Sequence, residues 1–584
     1  MRRLGFLVTA LLIAFGIGSL LTGQQPQTQP AEMVLTNGKI LTVDARDSVA
    51  QAMAITGGRI VAVGAADQIK SRIGAATQVI DLHGRTVTPG LLDSHVHFQE
   101  VDALYTIDLS DLAIKKMDDV LARVREQVSR LKPGEWVRGR GWDEGKLAEK
   151  RAVYASDLDK VAPDNPVWLT HASGHFGVAN SYAMRLAKIT NSTKDPEAGT
   201  IDRDAQGNAT GVMKETAKDL ITPLIPPFTR EQQRDGLLKI IEDFNKEGMT
   251  GAKDPGIDRA KWDLYREVLN DNKLNVRVFV LWSGGTTVDS AKQALVNIQA
   301  QPKLPTSLGD GRLYSGGVKI YMDGAVTAHT AWVYDDWFNN ATEKDKGNVG
   351  YPSTEPNVYR QMVQLLHEAG VHVSTHAIGD RAIDWVVDTY DQVLRAKPTR
   401  GLRHGIIHAS LPTDHAIDVM ARLQKEYQAG YPEANSPFMW WLGDNLLRSL
   451  GPDRVFRMMP FASYEKKGIL FTSGSDYSVT PFPARNGIWT SVARKTVTGA
   501  MPFGIEQAVD IKIALRAYTI WSAHQMFMEN RVGSIEVGKD ADIAVWDRDL
   551  YTVPTDQLKD MKCELTLLQG RVVYRDPRSP VTGF

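Results

Sequence analysis

Residues 86–98 read TVTPGLLDSHVHF. A β-branched run carries the chain through Pro89 and Gly90, two leucines follow, and the stretch ends on His95 and His97. In extended backbone alternate side chains share a face, so both imidazoles project the same way and two ligands can reach one cation. The same pair reads equally well as two histidines that only hydrogen-bond at the mouth of a barrel. What separates these readings is whether other apolar runs in the chain end in comparable polar groups.

Four do. Lys319 sits in GGVKIYMDG (316–324), His376 in VHVSTHAIGD (371–380), His408 in GIIHAS (405–410) and Asp476 in TSGSDYSV (472–479). A lysine among valine and isoleucine, or an aspartate behind ILFTSGS, is costly to bury unless it is paired or chemically altered. A divalent cation at their centre satisfies all of these groups at once. Residue by residue the ordinary alternatives stay open: an ion pair for Lys319, hydrogen-bonded core histidines for His376 and His408, an N-cap for Asp476.

The surroundings alternate strand-like runs with amphipathic helices, as in TREQQRDGLLKIIEDFNKEG (229–248), which puts Leu237, Ile240, Ile241 and Phe244 on one face before MTGAKDPG (249–256). With KLNVRVFVLWSG (273–284) and the four runs above, seven strands are counted, and an eighth is expected within QKEYQAGYPEANSP (424–437), where the apolar pattern is poor. The fold class predicted is α/β, a (β/α)8 TIM-like barrel whose active face lies at the C-terminal ends of its strands. Residues 99–227 are too long for an ordinary connection and predict an inserted subdomain after the first barrel strand.

Both ends of the chain carry hairpin grammar, Asn-Gly, Gly-Gly and Gly turns between alternating apolar residues, in 33–88 and again in 532–576. This predicts one small β-sandwich domain made from residues 31–88 and 530–584, with the barrel, 89–529, inserted between them. At the start, Arg2 and Arg3 precede an apolar run to about Leu21 and then a polar QQPQTQPAE, the layout of a signal peptide or N-terminal anchor over residues 1–30. An exported protein, periplasmic or secreted, is expected, touching membrane only if that segment stays uncleaved.

A net charge of -1 over 584 residues offers no basic field for nucleic acid. The expected partner is a small molecule, with self-association into a homo-oligomer left open. The single cysteine, Cys563, excludes an intrachain disulfide and a cysteine-based zinc site. Any metal must be held by nitrogen and oxygen.

Taken jointly, PGLLDSHVH, GWDEG, HASGHFGVANS, VKIYMDGAV, HAIGDRAID, SGSD and GSIEVGKDADIAVWD resemble, in this order, the amidohydrolase superfamily, and within it the branch similar to N-substituted formamide deformylases. The resemblance runs from about Met33 to Arg575. It implies that His95, His97 and Asp476 bind one metal, that His376 and His408 bind a second, and that Lys319 bridges the two as a carbamate formed with carbon dioxide. One or two cations per chain are implied, with zinc the default for such donors and manganese, cobalt or iron compatible. Asp476 is also implied as the catalytic proton carrier in hydrolysis of a non-peptide C–N bond, an amide or an N-acyl or N-formyl group. His171 and His175, from the inserted stretch, together with Trp142, Asp323 and His329, are expected to contact substrate, and Trp332, Trp440 and Trp441 hint at an aromatic-lined pocket.

Two departures from the family pattern stand out. Ile407 occupies the place where a glutamate usually precedes the sixth-strand histidine, so a supporting carboxylate for His408 must come from elsewhere. His329 stands where relatives carry an arginine. Cyclic amide hydrolysis or deamination is the rival chemistry, although HAIGDRAID lacks the glutamate that deaminases of this kind use. A silent binding protein on the same fold is the rival outside enzymes, and six intact candidate ligands speak against it.

Overall fold

The structure is a computed structural model that describes residues 29–584 except 99–101, 173, 175, 197–198, 328, 338–346 and 500–503. The expected N-terminal signal or anchor therefore lies almost wholly outside the described residues.

Eight parallel strands form the central sheet in sequential order. They are β1 (Leu91–Asp93), β2 (Met249–Ile257), β3 (Arg277–Ser283), β4 (Leu313–Tyr321), β5 (Val373–Ala377), β6 (Gly405–His408), β7 (Tyr431–Ala434) and β8 (Thr472–Ser473). Most of their residues are buried, as expected where side chains fill the barrel on one face and meet helices on the other. The strand expected within 424–437 is β7, whose Pro432 and Glu433 mask the apolar signal.

Helices follow the strands on the outside: α1 (Arg230–Lys246), α2 (Arg259–Asn270), α3 (Val288–Gln299), α4 (Pro356–Glu368), α5 (Asp380–Ala396), α6 (Asp414–Tyr427) and α7 (Ala484–Ala493). Their starts are written locally. Thr229 accepts from the Gln232 N–H while the Gln232 side chain returns to the Thr229 N–H, a reciprocal cap, and Asp258 and Thr413 cap α2 and α6 through the N–H groups of Lys261 and Ala416. The buried stripe of α1 contains the expected Leu237, Ile240, Ile241 and Phe244.

One sequence expectation needs correction. The stretch 86–98 is not a single strand, because it changes sheets at Gly90: Thr86–Pro89 pairs with Ile543–Trp546, whereas Leu91–Asp93 enters the barrel as β1. The crossing needs glycine, since a Cβ at Gly90 would stand 2.2 Å from Oγ1 of Thr250 on β2.

Strands from both ends of the chain build two further sheets. One has four strands, in the order Arg59–Gly64, Ala52–Thr56, Met33–Thr36, Gln78–Asp81; the other has six, in the order Arg571–Arg575, Cys563–Leu568, Ile543–Trp546, Thr86–Pro89, Lys39–Leu41, Val49–Ala50. Leu35, Met53, Ile80 and Val87 share a core with Ile543, Val545, Leu565 and Leu567, so neither terminus completes it alone. Between β1 and α1 lies a third, six-stranded sheet running from Ile107–Asp108 to Gly199–Arg203, with its own core of Leu109, Val120, Val124, Trp142, Leu158 and Leu169.

Arg277, fully buried at the start of β3, ties barrel to terminal sheets: its guanidinium donates to Asp542 at 2.7 and 2.9 Å and to Asp540 at 2.9 Å. A planar fork meeting a carboxylate in this way is the arrangement arginine makes best. Arg277→Met strands the buried Asp542 without its cation, and removing one partner of a buried pair costs about 3–5 kcal/mol. The expected outcome is a clear fall in denaturant midpoint, measured by tryptophan fluorescence; an unchanged midpoint would refute this role for the pair.

Candidate active site

The six polar groups singled out above stand at the C-terminal end of the barrel. His95 and His97 follow β1, Lys319 lies near the end of β4, His376 is on β5, His408 closes β6, and Asp476 follows β8. The Nε2 atoms of His95 and His97 lie 3.2 and 3.3 Å from Oδ1 of Asp476, and these three residues can each offer a donor atom within 4.8 Å of the others. Across the site, Nε2 of His408 faces Nδ1 of His376 at 3.0 Å, and the His95 and His408 rings are 5.1 Å apart. Lys319 lies close enough for its charge to act on Asp476, His95 and His408.

Burial sets the protonation of this cluster. It pushes His95 down to about 3, helped by the Lys319 charge, and drives His408 well below the ordinary imidazole range, with His376 adding to the effect. Burial alone would raise Asp476, but hydrogen bonds from His95 and His97 outweigh it and hold the carboxyl well below its usual range. Lys319 is lowered to about 7 by burial. Neutral imidazoles beside an ionised carboxylate are the donor set a divalent cation takes. His95 Nδ1, buried and without a hydrogen-bond partner among the described residues, fits the same reading.

Two lysines point into the barrel from comparable strand patterns, and their surroundings differ. Nζ of Lys253, on β2, donates to Glu433 at 2.8 Å, Gln525 at 2.9 Å and Ser374 at 3.0 Å, a complete set for an ammonium. Nζ of Lys319 makes no hydrogen bond among the described residues, though it is buried. Lys253 is structural, whereas Lys319 lacks what a buried ammonium needs.

The backbone is strained where the donors are. His408 and Asp476 take left-handed conformations, with φ of 71° and 54°. Such conformations cost about 1–3 kcal/mol for residues other than glycine and persist only where neighbours hold them. The neighbours are visible: Asp476 N–H donates to His95 O at 2.7 Å, and His408 Nδ1 meets Asn435 Oδ1 at 2.7 Å. Asn435, which also donates to Gly474 O at 3.1 Å, therefore takes the place of the glutamate missing at Ile407, using an amide in place of a carboxylate. It escaped the sequence reading because it follows the weakest strand pattern.

A cavity of about 800 Å³ opens over the cluster, with His376, His408 and Asp476 on its wall. The barrel contributes apolar surface through Ile378, Phe438, Leu446, Met458 and Val479, and the insert contributes Asp143, Glu144, His171 and Phe176. His171 stacks on Phe176 with 3.9 Å between ring centroids and sets Nε2 3.0 Å from Oε2 of Glu144. Glu144 is pushed up by burial, but His171 and Arg448 beside it leave it lowered overall. Asp143, Glu144 and His171 form a second group able to converge on a cation. Sequence reasoning passed over both acids, although they stand in GWDEG beside the tryptophan it chose.

The expected substrate contacts fare unequally. His171 and His329 line the cavity, His329 bonding through Nε2 to Ser449 Oγ at 3.2 Å and stacking on Trp337. Trp142 does not: it is wholly buried in the insert's core and its indole N–H donates to Leu169 O at 3.0 Å. Asp323 does not either, being a buried bracket that accepts backbone N–H bonds from Trp332, Ile378 and Gly379 at 2.8–3.0 Å and so joins the ends of β4 and β5. Trp332, Trp440 and Trp441 are likewise absent from the cavity wall, whose aromatic surface comes from Phe176 and Phe438 instead. His175 lies outside the described residues.

A family model described as "Amidohydrolase family" matches residues 78–574. The chain belongs to the amidohydrolase family. Among curated relatives of this amidohydrolase, the N-substituted formamide deformylase of Arthrobacter pascens is 29% identical over 562 residues, covering 94% of this chain and 99% of that one. The putative amidohydrolase YtcJ of Bacillus subtilis is 26% identical over 513 residues, covering 87% and 92%. Among solved structures, an uncharacterized metal-dependent hydrolase from Pyrococcus horikoshii superposes with a TM-score of 0.69 at 22% identity, covering 90% of this chain and 99% of that one. A counterpart from Pyrococcus furiosus gives 0.67 at 22% identity, covering 89% and 100%. These two likenesses show the shared fold.

Because Trp142 packs behind the cavity and not in it, Trp142→Phe is expected to leave KM for any substrate within about twofold while lowering the thermal midpoint, since an indole hydrogen bond of about 1 kcal/mol is lost. Steady-state kinetics alongside thermal unfolding checks this; a large KM change at unaltered stability would put the indole back in the site.

Proposed function

We propose that this amidohydrolase is a metal-dependent enzyme that hydrolyses a non-peptide C–N bond, an amide or an N-acyl or N-formyl group, of a small molecule. The observation that carries the reading is the convergence of His95, His97, His376, His408, Asp476 and a buried Lys319, whose Nζ has no hydrogen bond among the described residues, beneath one cavity. His95, His97 and Asp476 would hold one divalent cation and His376 and His408 a second, with Lys319 bridging as a carbamate. A lysine lowered to about 7 supplies the neutral amine that adds to carbon dioxide, and carboxylation would turn the misfit cation into an oxygen donor. Bound there, the cations would supply a water of near-neutral pKa and polarise the scissile carbonyl.

The chain's own residues account for the proton and the substrate. Asp476, ionised and on the cavity wall, accepts the proton lost by the attacking water and delivers it to the leaving nitrogen. The water oxygen adds to the carbonyl carbon, and the C–N bond then breaks as its nitrogen takes up the proton, giving a carboxylic acid and an amine. His171 and His329 orient the polar part of the substrate, and the apolar barrel wall takes its hydrocarbon part. The similarity to a formamide deformylase supports an N-acyl substrate.

The test is a panel of N-formyl, N-acyl and cyclic amides assayed with wild type and with Asp476→Asn. Wild type is expected to release amine from at least one open-chain amide, and the variant to lose at least about 100-fold in kcat with metal still bound. Preference for ring amides, or a fully active variant, would overturn the assignment.

A further inference from the structure

The barrel has a seam. Seven strand junctions are parallel ladders, but between β8 and β1, with two and three residues, the backbone bonds fall just beyond the strand ends: Ser94 N–H to Ser473 O at 3.4 Å, Asp476 N–H to His95 O at 2.7 Å and His97 N–H to Tyr477 O at 2.9 Å. His95 and His97 leave from one side of this seam and Asp476 from the other, so whatever closes it also sets these three side chains against one another.

A side chain braces this closure from behind. Asp93, fully buried at the last position of β1, accepts from the Ser475 hydroxyl at 2.7 Å and from the Ser475 N–H at 3.1 Å, while its Oδ1 also takes the His95 N–H at 3.0 Å. The Ser475 hydroxyl in turn accepts the Tyr477 N–H at 3.0 Å. Gly474 makes the approach possible, because a Cβ there would stand 2.5 Å from Oδ1 of Asp93 and 2.5 Å from the His95 nitrogen. LLDSHVH and SGSD thus interlock, each supplying what the other lacks.

We propose that Asp93 is a positioning residue for the metal centre, acting through the Ser475 and His95 backbone to fix the separation of His95 and His97 from Asp476. It touches neither substrate nor metal. The proposal rests on the reading of this site as a metal centre. A carboxylate suits the task because it accepts on every side, whereas an asparagine of the same shape would turn an N–H group toward another donor. Groups that orient metal ligands from behind commonly change metal affinity or activity by 10–100-fold when altered.

The experiment uses the full chain with Co²⁺ as the probe, in wild type, Asp93→Asn, Gly474→Ala and Ser475→Ala. Affinity is measured by competition with a coloured chelator, geometry by the cobalt d–d absorption, and folding by the thermal midpoint of the metal-free proteins. Asp93→Asn and Gly474→Ala, which disturb the clasp from opposite sides, are expected to bind Co²⁺ about 10–100-fold more weakly with a shifted d–d spectrum. On the amide panel they should lose kcat with KM little changed. Ser475→Ala keeps the backbone bonds and should show a smaller loss of the same kind, and it carries the test if the other two fail to fold. Wild-type cobalt affinity and spectrum in every variant that folds would overturn the proposal, as would weakened binding with an unchanged spectrum that merely tracks a lowered midpoint. A wild type that takes up no Co²⁺ would instead overturn the metal reading itself.

Discussion

Burying charge at the end of a closed sheet is the constraint on which the molecule turns. Parallel strands of a barrel all end at one rim, and here that rim carries imidazoles, a carboxylate and a lysine that are largely shut off from water. A buried charge is tolerated only if it is paired, hydrogen-bonded or ligated. Deeper in the same barrel the rule is met by protein alone, since Lys253, Glu433, Ser374 and Gln525 satisfy one another. At the rim the groups are brought together but left unfinished among the described residues, with an orphaned His95 nitrogen, a lysine without a hydrogen bond and two imidazole nitrogens facing each other. Those are the features of a cage arranged around something positively charged.

The rest of the architecture holds that cage in shape. Short polar side chains at the strand ends staple neighbouring segments: Asp254 to the Phe98 N–H, Asp93 to Ser475, Asp323 across β4 and β5, Asn435 across β6 and the turn after β8. Left-handed backbone at His408 and Asp476 is affordable only within such a frame. The insert adds the remaining wall, so its acidic Asp143 and Glu144 face a barrel side on which apolar Ile378, Phe438, Leu446, Met458 and Val479 surround the polar cluster. A substrate that fits must offer both characters.

Much of this was legible in the chain. Apolar runs ending in His, Lys or Asp gave away the strand ends, because such residues are too costly to bury idly, and the barrel followed from their number and spacing. Hairpin grammar at both termini anticipated a sheet that draws strands from each. What could not be read was lateral: which strand end touches which. Asp93 looks like a bystander in sequence and Asp323 like a substrate contact, and both become brackets only when β8 meets β1 and β5 meets β4. Trp142 misled for the same reason, since an aromatic beside GWDEG acids can face a cavity or a core, and the pairing of Val137–Trp142 with Val167–His171 turns it inward. The strand at Tyr431–Ala434 was faint because its inward Glu433 serves Lys253, an ion pair that no local pattern reveals.

The central claim, that the rim donors exist to bind metal on which turnover depends, is tested most directly by counting metal in the purified full-length protein by mass spectrometry before and after dialysis against a chelator, with amide turnover assayed in parallel. The account predicts one or two divalent ions per chain, loss of turnover on their removal and recovery on adding them back. Undiminished turnover in protein shown to be free of metal would contradict it.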